Sequence, residues 1–173
     1  MKSLHPNLLY TLYLLQMKAA SLNEIKQELL TLPPKKVLEL CLRLTKFKKE
    51  NKELLSFLLF EAHDEQGYVE SIKKEINDSF WELPRGNMYI IKKGLRKILR
   101  AISKYSKHTS AKESEVEMLI HFCRNLQQSG IYFRGNKALS NLYDQQLKKL
   151  HAMVELVHED LRFDYKKQLG ELD

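Results

Sequence analysis

Apolar residues recur every three to four positions along almost the whole chain, which is the pattern of amphipathic helices rather than strands. Pro6 opens a first predicted helix that runs to about Met17 or Ala19, with Leu8, Leu9, Leu12 and Leu15 on one side. Ser21 and Glu24 then have the spacing of a capping box, in which the serine oxygen takes a first-turn N–H and the glutamate reaches back. Leu22, Ile25, Leu29 and Leu32 form a single stripe behind that cap, and Pro33-Pro34 stops one helix and starts the next. The third predicted helix carries Leu38, Cys41, Leu42, Leu44 and Phe47, followed by a polar break in which Asn51 is a candidate N-cap. Leu54, Leu55, Phe57, Leu58, Leu59 and Phe60 crowd the next segment. That density predicts burial on most sides and a central position.

His63 to Gly67 reads as a loop, and Val69, Ile72, Ile76 and Phe80 make the stripe of a helix over Tyr68 to Trp81. A turn at Leu83 to Asn87 leads into a basic helix from Met88 to about Lys107. Ser110 and Glu113 repeat the capping-box spacing ahead of Val116, Leu119, Ile120, Cys123 and Leu126, with Gly130 as the stop. The last predicted helix is long, over residues 137–169. Its stripe of Leu139, Tyr143, Leu147, Leu150, Val154, Val157, Leu161 and Tyr165 is close to a 3.5-residue repeat.

The expected fold is all-α, with seven or eight helices in a single domain over residues 1–173 and with residues 1–20 as an N-terminal extension helix. Short connections make neighbouring helices antiparallel, so the chain reads as a stack of helical hairpins. A compact bundle and a short right-handed α-α superhelix of the HEAT or TPR kind both fit. The second is preferred because each helix offers its own stripe rather than sharing one seam.

Composition narrows the functional classes. Six glycines and four prolines are too few for a turn-rich sandwich or barrel, and no Gly-rich phosphate loop is present. No apolar run is long enough to span a bilayer, so integral membrane association is not expected. The apolar stretch from Leu8 to Met17 follows His5 and Pro6, contains Gln16 and lacks a good small-residue cleavage pattern, which favours a helix over a signal peptide. Cys41 and Cys123 both sit in apolar helical patterns. They predict buried, reduced thiols and a cytoplasmic location rather than a disulfide framework.

From Ser21 onward the order of features carries a resemblance. It rests on Leu29-Leu30-Thr31-Leu32-Pro33-Pro34-Lys35-Lys36-Val37-Leu38-Glu39-Leu40, the Leu-rich segment after it, and Lys73-Lys74-Glu75-Ile76. Ile91-Lys92-Lys93-Gly94-Leu95-Arg96-Lys97 and Ser129-Gly130-Ile131-Tyr132-Phe133 complete it. This order resembles an uncharacterised family of small bacterial all-helical proteins. The resemblance implies an all-α fold and no established activity, so it assigns no catalytic residue. It also implies a start near Met17-Lys18, with residues 1–16 as an extension.

Charge is strongly segregated. The net charge is +7, yet residues 87–112 alone hold eight basic and no acidic groups, while residues 51–86 hold four basic and eight acidic ones. At 100° per residue, Lys92, Lys93, Arg96, Lys97, Arg100, Lys104 and Lys107 fall within an arc of about 140°. Ile91, Leu95, Ile98, Ile102 and Tyr105 lie on the opposite side. Such a ridge fits a polyanion, RNA or DNA, but also a solvated face or one covered by the acidic segment of the same chain. No zinc-finger, RNP or helix-turn-helix signature accompanies it.

Other residues invite weaker readings. Tyr132, Phe133 and Arg134 could form a contact loop, or the two aromatics could plug the core while the neighbouring glycines serve left-handed turns. On a continuous helix His151, Glu155 and His158 share a face and are the metal candidates. Asp144, Lys148 and Arg162 share that face too, which fits a charged solvent stripe, and no cofactor is implied. The functional expectation is a non-enzymatic helical scaffold that binds a macromolecule, a protein first and nucleic acid second. A metal-binding helical protein ranks third, and the last helix offers a seam for a homodimer.

Overall fold

The computed structural model describes residues 19–84, 86–109 and 111–172. Among the described residues it is all-α, with eight helices and no strand. They are α1 (Leu22–Thr31), α2 (Pro34–Phe47), α3 (Lys49–Phe60), α4 (Glu65–Trp81), α5 (Met88–Tyr105), α6 (Lys112–Gln128), α7 (Lys137–Val154) and α8 (Glu159–Gly170). The helix predicted from Pro6 lies outside the described residues, as does Ser110 of the second capping box. The helix after Ser110 takes Ala111 as its N-cap, with no side-chain hydrogen bond.

The chain divides into two compact units, Met1–Lys52 and Glu53–Asp173, with the boundary inside α3. In the first unit the capping box at α1 forms as its spacing predicts. Ser21 Oγ accepts from the Glu24 N–H at 3.3 Å, and Glu24 Oε2 accepts from the Ser21 N–H at 2.7 Å. These bonds draw the Glu24 carboxyl below its usual range. Pro34 occupies the first turn of α2. Asn51 is a correction: it lies inside α3, not at its cap, and its Nδ2 donates to the Leu44 carbonyl at 2.9 Å, serving an orphan acceptor near the end of α2. Neither α1 nor α2 contains a buried residue. Cys41 is only half-buried, so one of the two predicted buried thiols is not enclosed.

The second unit is organised around α6, which packs against α4, α5 and α7. Helices α4 and α5 also pack on each other, and α8 packs on α7. Val116, Met118, Leu119, Ile120, Phe122, Cys123 and Leu126 of α6 are all buried. Each large apolar side chain taken out of water this way contributes roughly 1.5–3 kcal/mol before the entropy of ordering is set against it. The burial of Cys123 pushes its thiol up to about 12, so it stays protonated and inert.

The centre is therefore α6, not the Leu-rich α3. In α3 only Phe57 is buried, against Tyr68 with ring centroids 4.5 Å apart, while Leu58, Leu59 and Phe60 are exposed. Apolar density alone cannot bury a helix; it needs neighbours on every side, and α6 has them.

The long last helix predicted over 137–169 is two helices. Glu155 caps the end of α7, and His158 takes an extended backbone as the N-cap of α8, its Nδ1 accepting from the Asp160 N–H at 3.4 Å. Val154 and Val157 stay buried on either side of the break, so the apolar stripe runs on although the helix does not. Because Leu139, Tyr143, Leu147, Leu150 and Val154 face the core, that stripe is not a seam for a second copy. The chain end closes onto the same core. Leu172 is buried, and its carbonyl accepts from Tyr143 Oη at 2.8 Å and from Gln127 Nε2 at 3.0 Å.

Candidate functional site

Helix α5 starts at Asn87, whose Oδ1 accepts from the N–H groups of Tyr89 (3.1 Å) and Ile90 (3.2 Å). Ile91, Leu95, Ile98 and Ile102 are buried, which fixes the rotation of the helix and turns the opposite face outward. Gly94 permits the close approach of Leu83, since a Cβ there would collide with the Leu83 side chain. Lys93, Arg96, Lys97, Arg100 and Lys107 are exposed; Lys92 and Lys104 are half-buried. The helix ends at Tyr105, so Lys107 sits in the turn that follows it.

The acidic segment covers one cation of the ridge. Lys104 Nζ lies 3.1 Å from Glu53 Oε2 and 4.4 Å from the centre of the Tyr105 ring. Among the described residues Lys92, Lys93, Arg96, Lys97, Arg100 and Lys107 make no ion pair, and Arg100 Nε donates only to the Arg96 carbonyl at 3.3 Å. The side chains of Tyr89, Lys92, Lys93, Arg96, Leu99, Arg100 and Ser103 line a shallow, open groove of about 650 Å³ on the surface of the helix.

The loop after α6 divides its aromatics. Phe133 is buried against Tyr143, centroids 4.9 Å apart, as a plug. Tyr132, expected in the plug, is instead 75% exposed and lies over Gly135, where a Cβ would strike its ring. Arg134 closes the plug from outside, paired with Asp144 at 2.6 Å and 4.7 Å from the Tyr143 ring centre. Gly130 adopts φ +71°, the left-handed turn that ends α6; Gly135 has no positive φ.

His151, Glu155 and His158 do not form a shared face, because the break between α7 and α8 falls among them. Glu155 pairs with Lys166 at 2.7 Å, which lowers its carboxyl below the usual range, and His158 is engaged in capping α8. No group of three potential metal ligands converges among the described residues.

Sequence reading missed three features. The first is a buried aromatic and histidine cluster. Tyr68 Oη lies 2.9 Å from His108 Nδ1, with Phe57 and Tyr105 packed around the imidazole. Burial, with help from Lys104, holds the His108 pKa below its usual value, and burial, with Glu61 and other nearby acidic groups, raises that of Tyr68. Burial and the bond to Glu75 push Tyr105 up to about 12. The second is a clamp of α4, α6 and α8: Lys73 Nζ bonds Glu117 and Glu70, both at 2.7 Å, and Tyr165 Oη donates to Glu117 at 3.3 Å. Burial opposes the charge on Lys73, but its two carboxylate partners more than offset this and raise its pKa. It is a fixed cation, not a base. The third is a cleft of about 690 Å³ walled by Phe80, Leu83, Met88, Ile91 and Ile131, with Trp81 (84% exposed) and Tyr132 beside it. Its only sequence signal was the single tryptophan next to a Leu-Pro turn.

No helix among the described residues is long and apolar enough to cross a membrane. No family model, curated protein or solved structure matches the chain.

Proposed function

We propose that the chain is a non-enzymatic helical module of the cytoplasm that holds another macromolecule, with a protein partner on the apolar faces of α1 and α2. The observation that carries this reading is that both helices are amphipathic and neither buries a residue. Leu22 and Phe47 are 86% and 76% exposed, and Ile25 and Leu29 on the α1 stripe and Leu44 on the α2 stripe are exposed with them. Apolar surface gathered on helix faces at this density is typical of interaction sites. A photoreactive amino acid at Leu44 or Phe47 should give a discrete adduct in cells, while the same group at exposed Lys148 of α7 should not. Equal adduct patterns from both positions would overturn the reading. Light scattering then distinguishes a second copy from a different partner.

A second reading is favoured by five α5 cations, and Lys107 just beyond the helix, that make no ion pair among the described residues. A polyanion would complement them, and binding would fall steeply with salt. Retention on an anionic polymer such as heparin, lost when Lys93, Arg96 and Arg100 are changed to Glu, tests it; unchanged retention would remove it.

A further inference from the structure

We propose that the outward face of α5 is a track for single-stranded nucleic acid, with phosphates on Lys92, Lys93, Arg96 and Arg100 and a base stacked on Tyr89. This rests on the polyanion reading above and narrows it. Tyr89 is 77% exposed, and its ring meets no other aromatic ring among the described residues. It stands one turn before Lys92 and Lys93 and lines the same shallow surface groove as the four cations. An exposed aromatic ring set at the end of a row of cations that make no ion pair among the described residues joins the two elements that single-strand binding uses, a stacking platform and a charged track. From Tyr89 to Arg100 the helix rises about 16 Å, enough for a few nucleotides.

The alternatives use less of this geometry. A duplex offers phosphates but hides the base faces, leaving Tyr89 idle. A lipid surface would need the apolar side of α5, but Ile91, Leu95, Ile98 and Ile102 are buried in the core. An acidic peptide matches the cations and has no use for the platform.

The test is fluorescence anisotropy on the full chain with a labelled strand of about 12 nucleotides, in ribose and deoxyribose forms, and with its duplex. Salt is set at about 50 and about 200 mM. The expected result is tighter binding of a single strand than of the duplex, with the two sugars distinguishing RNA from DNA. With about four phosphates engaged, log affinity should fall against log salt with a slope of about −3. Tyr89→Ala should weaken single-strand binding roughly 5- to 100-fold, and Tyr89→Phe should restore it. Lys93→Glu with Arg96→Glu and Arg100→Glu should abolish binding while the helical circular dichroism persists. Equal affinity for the duplex, or no effect of Tyr89→Ala, would overturn the single-strand inference while leaving the polyanion reading in place. Binding of neither nucleic acid at low salt would overturn the inference; if anionic vesicles or polyglutamate then bind through the same three cations, the polyanion reading survives.

Discussion

Leu172 and Tyr143 show how individual residues hold this fold. The Leu172 side chain fills a site in the core, and its carbonyl receives the buried Tyr143 hydroxyl. Leu172→Ala should cost about 2–4 kcal/mol, and Tyr143→Phe about 1 kcal/mol, both read as a lower denaturation midpoint with an unchanged slope. The two buried or half-buried histidines set the response to acid. Desolvation, with Lys104 beside His108 and Lys73 beside His121, holds both imidazoles below the ordinary 6.5. The folded chain then binds these protons less readily than the unfolded chain. Stability is thus complete above pH 6.5 and declines as pH falls through the folded values. Melting temperature measured from pH 7.5 to 5 should fall, and His121→Gln, which can still donate to Asn77 Oδ1, should flatten the decline. Little of this was legible in the sequence: Tyr68 and His108 are 40 positions apart, and no local pattern announces that they meet.

At the level of elements, the loop after α6 separates structure from surface. Phe133→Ala removes the plug against Tyr143 and should cost about 3–5 kcal/mol. Tyr132→Ala should change stability by less than about 0.5 kcal/mol, and paired thermal melts compare the two directly. The helices themselves were largely legible, because a 3.6-residue stripe and a cap are local properties, as Ser21 and Glu24 show. The break at Glu155–His158 was not. It contains no Gly or Pro, and the buried Val154 and Val157 keep the apolar rhythm across it. Its one trace is the Glu159-Asp160 pair, acidic residues placed where a new helix begins. The same break undid the metal candidates, whose shared face required a continuous helix.

For the whole molecule, burial is concentrated in the second unit. Amide hydrogen exchange should therefore lose protection first in α1 and α2, whose backbone has no buried side chains over it, and last in α6. Uniform protection along the chain would contradict this ordering. The Leu-rich α3 is dense in apolar residues yet not central, because which helix becomes the hub depends on its neighbours, and those are set by tertiary packing. The basic face of α5 was legible because it follows from periodicity and charge alone, whereas its freedom from the acidic segment, Lys104 excepted, emerged only in three dimensions.

That face has an energetic side. Lys93–Lys97, Arg96–Arg100 and Arg100–Lys104 set like charges one turn apart, each pair opposing the helix by about 0.2–0.5 kcal/mol. Lys97→Glu should accordingly raise the melting temperature slightly, a gain in robustness at the expense of the ridge. Ionic strength would then act in two directions at once: it relieves self-repulsion and steadies the solitary chain, yet loosens its grip on any polyanion. A complex held there would be at its tightest under the dilute conditions in which its free form is least sturdy.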